Sequence, residues 1–256
     1  MGPGHLLTWW KNTARLAVEL ERFNPRKAVV FVFGVGSETT DRCATRLGGL
    51  PYWPKEMPWP EGQDGQPKSF VGQFDFRAII WPERLPGDIL TVHFDDYWDG
   101  EGRFCGTHET GAATLTWHDS QVESVLLDQA EVPSADPYGP YYGRPVEVTD
   151  YKETPRQAME LGECWQFTIL GMKIGGHSPL FGRNWQDDIR DVKEPVFLCS
   201  IGFVESSRLV DGVWLPTMAG YDPRSASEVI FLDAGTFVVV YPKGSPEKLH
   251  WFLYLP

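Results

Sequence analysis

Apolar residues at Leu6, Trp9, Leu16, Leu20 and Phe23 recur at steps that fall on one face of a helix, with Thr13 the polar member of the series. Asn24-Pro25 stops the series, so the pattern predicts a helix over residues 6–23. The period then shortens. Residues 28–35 (AVVFVFGV) are a dense run of β-forming side chains and read as a buried strand. Residues 69–76 (SFVGQFDF) alternate, with Phe70, Phe74 and Phe76 on one face and Val71, Gln73 and Asp75 on the other. Residues 89–94 (ILTVHF), 113–117, 122–127, 197–203 and 236–241 (TFVVVY) read as further strands, and the Pro/Tyr/Gly-rich residues 133–145 as irregular chain. Thr154 followed by Pro155 suits the start of a short helix over residues 154–161. The expected fold class is therefore α+β, β-rich, with mixed or antiparallel sheets and an N-terminal helix.

Residues 48–67 (GGLPYWPKEMPWPEGQDGQP) hold too much Gly and Pro for a helix, yet they carry Tyr52, Trp53, Met57 and Trp59. A loop with that many large apolar side chains is expected to lie packed on the body of the protein. The same stretch opens an internal repeat. RLGG at 46–49 matches KIGG at 173–176, and FVGQFDF at 70–76 matches FLCSIGF at 197–203. Gly48 and Gly175 lie 127 residues apart, as do Phe70 and Phe197. Gly235, before the strand at 236–241, answers the Pro86-Gly87-Asp88 turn before the strand at 89–94. Two matches in one register predict two similar units, about residues 40–128 and 165–256, sharing one core in a single domain over residues 1–256. Phe70, Phe74 and Phe76 are expected to face that core with Phe197, Ile201 and Phe203, and Trp59 and Trp185 to cover equivalent places.

Charge narrows the function classes. Lys and Arg number 23 and Asp and Glu 35 among 256 residues, a formal charge of -12. Such a chain repels phosphate backbones, which argues against a nucleic-acid partner, and it suits a basic protein partner. No segment approaches the roughly 18 continuous apolar residues of a membrane helix, so no membrane partner is expected. The first residues lack the basic-then-apolar layout of a leader peptide, and Leu6 stands where myristoylation wants Ser or Thr. Cys43, Cys105, Cys164 and Cys199 are far apart with no C-x-x-C pair, which reads as reduced thiols in the cytoplasm.

The string from Gly48 to Gln73 resembles the signature of the YwqG-like family of bacterial proteins. The parts that carry the resemblance are Gly48-Gly49-Leu50-Pro51, Trp59-Pro60, Gly65-Gln66-Pro67 and Gln73. The segment after Lys173 and the strand after Gly235 are similar to the family's second half. Ser200 departs from the pattern, standing where the first unit has Gln73, and so does the insert from Ser206 to Ser227. The resemblance spans about residues 40–256 and implies structural roles for Gly48, Gly49, Pro51, Pro60, Gln73, Gly175, Gly176 and Gly235. It implies a fold more than an activity, because the family is a domain of unknown function, sometimes found near toxin–immunity loci.

Catalytic and cofactor patterns are sparse. Gly34-Val35-Gly36 follows a strand, but position 39 is Thr and the third glycine of a dinucleotide fingerprint is missing. The acidic run from Asp95 to Glu101 breaks calcium-loop spacing, because Tyr97 falls at its third position. The six histidines show no paired zinc spacing, and no G-x-S-x-G elbow is present. The chain is accordingly expected to use no cofactor and no metal and to carry no catalytic residues. Two readings of function follow. In the first, the protein is a non-enzymatic interaction module, such as an immunity-type inhibitor of a basic toxin. Trp98 is then the anchor, and Asp95, Asp96, Asp99 and Glu101 form an acidic rim. In the second, a small-ligand or carbohydrate-binding protein or hydrolase has a cleft between the two repeats, lined by Trp53, Trp59 and Trp185.

Overall fold

The computed structural model describes residues 24–33, 39–95, 111–133, 140–150, 172–178, 192–202, 207–210, 213–216 and 236–254. Among these the protein is all-β, with twelve strands and no helix, which corrects the α+β expectation. The helices expected at 6–23 and 154–161 lie outside the described residues. Ten strands form one sheet, nearly closed into a barrel, and every pairing in it is antiparallel rather than mixed. In chain order they are β1 (Arg26–Phe33), β2 (Arg46–Leu47), β3 (Ser69–Asp75), β4 (Ile89–Phe94), β5 (Ala113–His118), β6 (Tyr141–Asp150), β7 (Lys173–Gly175), β8 (Pro195–Ile201), β11 (Thr236–Pro242) and β12 (His250–Tyr254). Strands β9 (Ser207–Val210) and β10 (Val213–Pro216) form a separate two-stranded sheet. Across the large sheet the order is β12-β11-β8-β7-β1-β6-β2-β3-β4-β5.

Two runs of pairings recur along this order. Arg46 pairs with Gln73 and Leu47 with Gly72, while Lys173 pairs with Ser200 and Ile174 with Cys199. Each residue of the second set follows its counterpart by 127 positions. Both runs also contain a one-residue bulge. Register shifts leave Val71 unpaired between Phe70 and Gly72 opposite β4, and Leu198 unpaired between Phe197 and Cys199 opposite β11. The two runs meet through a central pair of strands. β7 of the second run pairs with β1, β2 of the first run pairs with β6, and β1 and β6 pair with each other over eight positions.

The bulges correct the expectation that the large apolar positions of each strand share one face; Phe203, the third of these in the second strand, lies outside the described residues. A single extra residue inverts the alternation beyond it. Phe74, Phe76 and Ile201 therefore enter the main core with Leu47, Leu90, Val92, Ile174, Leu198 and Phe237. Phe70 turns outward against His93, and Phe197 joins a second cluster with Val192, Val238, Val240 and Phe252. Across the barrel interior Phe94 of β4 meets Phe237 of β11 with ring centroids 5.0 Å apart, so the two runs share one core.

Two further expectations change. Residues 122–127 are not a strand; Leu126 makes an isolated bridge with Pro54. Part of the expected irregular stretch is instead β6, which carries Pro145 inside a central strand. The register explains how. Phe31, opposite Pro145, donates its N–H to Met172 and so faces away from β6. Gly143 donates toward Thr45 on the other side, and the nitrogen of Pro145 points the same way, beyond the end of β2. No ladder bond is lost, and proline is tolerated.

At the two Gly-Gly turns the second glycine has no alternative. Gly49 and Gly176 hold φ of 72° and 76°, and a Cβ would overlap Pro140 at the first and the Asp150 carboxylate at the second. Phe74 and Ile201 have no exposed surface. Phe74→Ala and Ile201→Ala should each lower the unfolding free energy by about 2–5 kcal/mol in urea denaturation, as truncation of a packed core side chain does. A loss below about 1 kcal/mol at either position would contradict the placement.

Candidate functional site

The irregular stretch after β2 is held on the outer face of the first run by side chains beneath it. The row of cross-strand partners there reads Tyr142, Arg46, Gln73, Thr91, Thr116. Arg46 is buried and donates to the carbonyls of Ala44, Leu50 and Asp41, with its guanidinium 5.0 Å from the Tyr142 ring. Gln73, fully buried, accepts from the Tyr52 amide at 2.7 Å and donates to Arg42 and Ala44 carbonyls at 2.8 and 3.0 Å. Pro51 accepts from Arg42, and Pro60 accepts from the Lys68 amide, so both prolines of the motif supply carbonyls that tie the loop. The equivalent row of the second run is Val30, Lys173, Ser200, Val238, Phe252. Its cation is wholly buried against Asp150 at 2.7 Å, and burial pulls the Lys173 ammonium down while Asp150 pulls it back up. Asp150 also accepts the His177 amide.

Trp53 and Trp59 belong to this cover. Their indole nitrogens donate to Met57 and Lys68 carbonyls, and each ring stands edge-on to His93 at 4.9 Å. The structure brings these two together and seats them on the sheet. Asp95 makes an ion pair with buried Lys68 at 3.1 Å. Asp96, Trp98, Asp99, Glu101, Trp185 and Gly235 lie outside the described residues.

His93 is fully buried, and neither ring nitrogen has a hydrogen-bond partner among the described residues. Burial pushes it down to about 3, assisted by His118 and by the Lys68 charge, and burial pushes His118 down to about 4. His118 bonds Thr91 at 3.0 Å, and its ring also packs on Trp53. Both imidazoles are neutral in the native state at neutral pH. Their unfolded counterparts take up protons below about 6.5. From there down to about 4 the unfolded chain binds more protons, so stability is complete above pH 6.5 and falls with acidification.

A pocket of about 770 Å³ opens elsewhere, where the turn after β3 meets the turn between β11 and β12. Phe76, Ile79, Trp81 and Leu85 supply its apolar wall, and Glu83, Asp88, Asp119 and Glu247 its acidic one, with Arg84 at the side. Three contacts shape it. Trp81 donates through its indole nitrogen to the Tyr241 hydroxyl at 2.9 Å, Glu83 accepts the Gly244 amide at 3.0 Å, and Asp88 accepts the amide and hydroxyl of Ser120. The pocket thus joins a turn of the first run to a turn of the second. The sequence places Phe76 on a strand and Asp88 in a turn, and its pattern assigns none of these residues to a binding site. The available clue was Ile79-Ile80-Trp81, an apolar triplet stranded in a turn among Glu83, Asp88 and prolines.

The described residues hold no group of three or more His, Cys, Asp or Glu placed to bind a metal ion, and no helix long and apolar enough to cross a membrane. Cys43 and Cys199 are free thiols, the latter pushed well up by burial.

An all-β sheet with paired registers, Gly-Gly turns and a Gln-held loop defines a structural class before it defines an activity. The chain matches the domain of unknown function DUF1963 over residues 45–236, three quarters of its length, and belongs to that family. The match runs from just before β2 to the first residue of β11. Among curated proteins no match is found.

Replacing His93 with Phe removes one of the two titrations while keeping a ring between Trp53 and Trp59. Between pH 7 and pH 5 the wild type should lose about 2 kcal/mol more unfolding free energy than His93→Phe, measured by urea denaturation at each pH. Equal losses in the two proteins would mean that His93 is not held neutral.

Proposed function

We propose that the chain is a non-enzymatic protein-interaction module that receives a basic segment of its partner in the pocket between the β3–β4 and β11–β12 turns. The observation that supports this most directly is the pocket wall, in which Glu83, Asp88, Asp119 and Glu247 flank an apolar surface containing Trp81. A carboxylate offers about four acceptor positions, so the bonds to Gly244 and Ser120 leave capacity for a ligand. The chain's -12 charge adds long-range attraction for a basic partner and speeds encounter at low salt. An inhibitor of a basic toxin domain is the particular form that the YwqG-like resemblance suggests. A second reading, a free cationic small molecule in the same pocket, draws on its position between the two runs of strands.

Titration calorimetry with an oligolysine peptide tests the reading. Binding should weaken as salt rises from 50 to 300 mM, and Asp119→Asn combined with Glu247→Gln should weaken it about tenfold or more. Unchanged affinity in the double variant would move the site elsewhere. Spermidine binding as tightly as the peptide would favour the small-molecule reading.

A further inference from the structure

We infer that the group this pocket receives is an arginine side chain of a protein segment whose neighbouring apolar residues cover Ile80; the inference rests on the reading above and names its partner chemistry. The pocket is lined by the Trp81 indole and by four carboxylates together. A guanidinium is planar, weakly hydrated and forked, so it can lie on an aromatic face while its edges meet carboxylates. A lysine ammonium is a strongly hydrated point charge and gains less from such a wall.

The aromatic surface is held in place before any ligand arrives. The Trp81 indole nitrogen is bound to the Tyr241 hydroxyl, and its ring and that of Phe76 stand edge to face with centroids 6.3 Å apart. The ring also packs over Gly175, where a Cβ would touch its six-membered edge at 3.4 Å. A pre-set plane loses little freedom on binding. Arg84 also lines the pocket and offsets one of its four carboxylates, leaving it net acidic.

Ile80 points to a protein as the source of that arginine. It is 98% exposed and sits between two residues of the pocket lining, Ile79 and Trp81. A free arginine or a polyamine would leave it in water. A peptide chain entering the pocket passes over this rim, and an apolar residue flanking the arginine would cover the isoleucine. Apolar contact beside a charged anchor is the common build of an interaction hot spot.

The test uses the full chain and three short Gly/Ser peptides, each with Leu on both sides of a central residue that is Arg, Lys or citrulline, measured by calorimetry at low salt beside arginine amide. The Arg peptide should bind about tenfold tighter than the Lys peptide, with the citrulline peptide weaker than both. Ile80→Ser should weaken the Arg peptide about tenfold and leave arginine amide unchanged; the side chain is exposed, and an unchanged melting temperature checks that the fold is kept. Equal binding of Arg and Lys peptides overturns the inference while the broader reading stands. An Ile80→Ser variant that binds the Arg peptide as well as wild type overturns the protein-segment part. If neither these peptides nor oligolysine bind, the inference and the broader reading fall together.

Discussion

Irregular chain can be buried only where its main-chain donors and acceptors find partners, and the outer face of this sheet is organised around that requirement. Apart from the two residues of β2, residues 41–53 have no ladder to satisfy them. Arg46 and Gln73 serve instead, reaching up from β2 and β3 to bind the carbonyls of Asp41, Arg42, Ala44 and Leu50 and the amide of Tyr52. A buried arginine without a carboxylate contact is costly unless several oxygens surround it, and here three carbonyls and the Tyr142 ring do so. The second run meets the same requirement with other chemistry, using Lys173, Asp150 and the His177 amide. At one register position, then, each run buries a cation that holds the chain near its Gly-Gly turn.

The remainder of the structure follows from that anchorage. With the loop seated, Trp53 and Trp59 close over His93, and the outer face of β3 to β5 is covered by protein. The turn after β3 is left on the far side, joined to the second run through Trp81–Tyr241 and Glu83–Gly244. Those two contacts set the dimensions of the acidic pocket. The pocket is bounded by the two runs where these contacts join them, and it is there that the proposed partner side chain would enter.

Much of the sheet was legible in the sequence because alternation and β-branched runs report burial on a pleated surface. β3, β4, β5 and β11 lie where that pattern places them. The two glycine pairs were legible for another reason, since positive φ narrows the choice to glycine. Four features were not. The bulges at Val71 and Leu198 shift a face by one residue and leave no mark in an alternating string. β6 was hidden by Pro145, whose nitrogen escapes the ladder only because β2 is two residues long. The loop tryptophans suggested a ligand cleft, whereas Trp53 is 1% exposed and spends its surface on His93, His118 and Trp59. The pocket residues escaped notice because their carboxylates converge from turns far apart in sequence, around positions 83–88, 119 and 247.

Amide hydrogen exchange at Tyr52 tests the anchorage most directly. Its N–H has no strand partner and is held by the Gln73 side chain alone among the described contacts. If the loop is part of the core, Tyr52 exchanges only on global unfolding, with the same protection as the amides of β3 and β4. Exchange at the rate of an open loop, while β3 and β4 remain protected, would contradict the account.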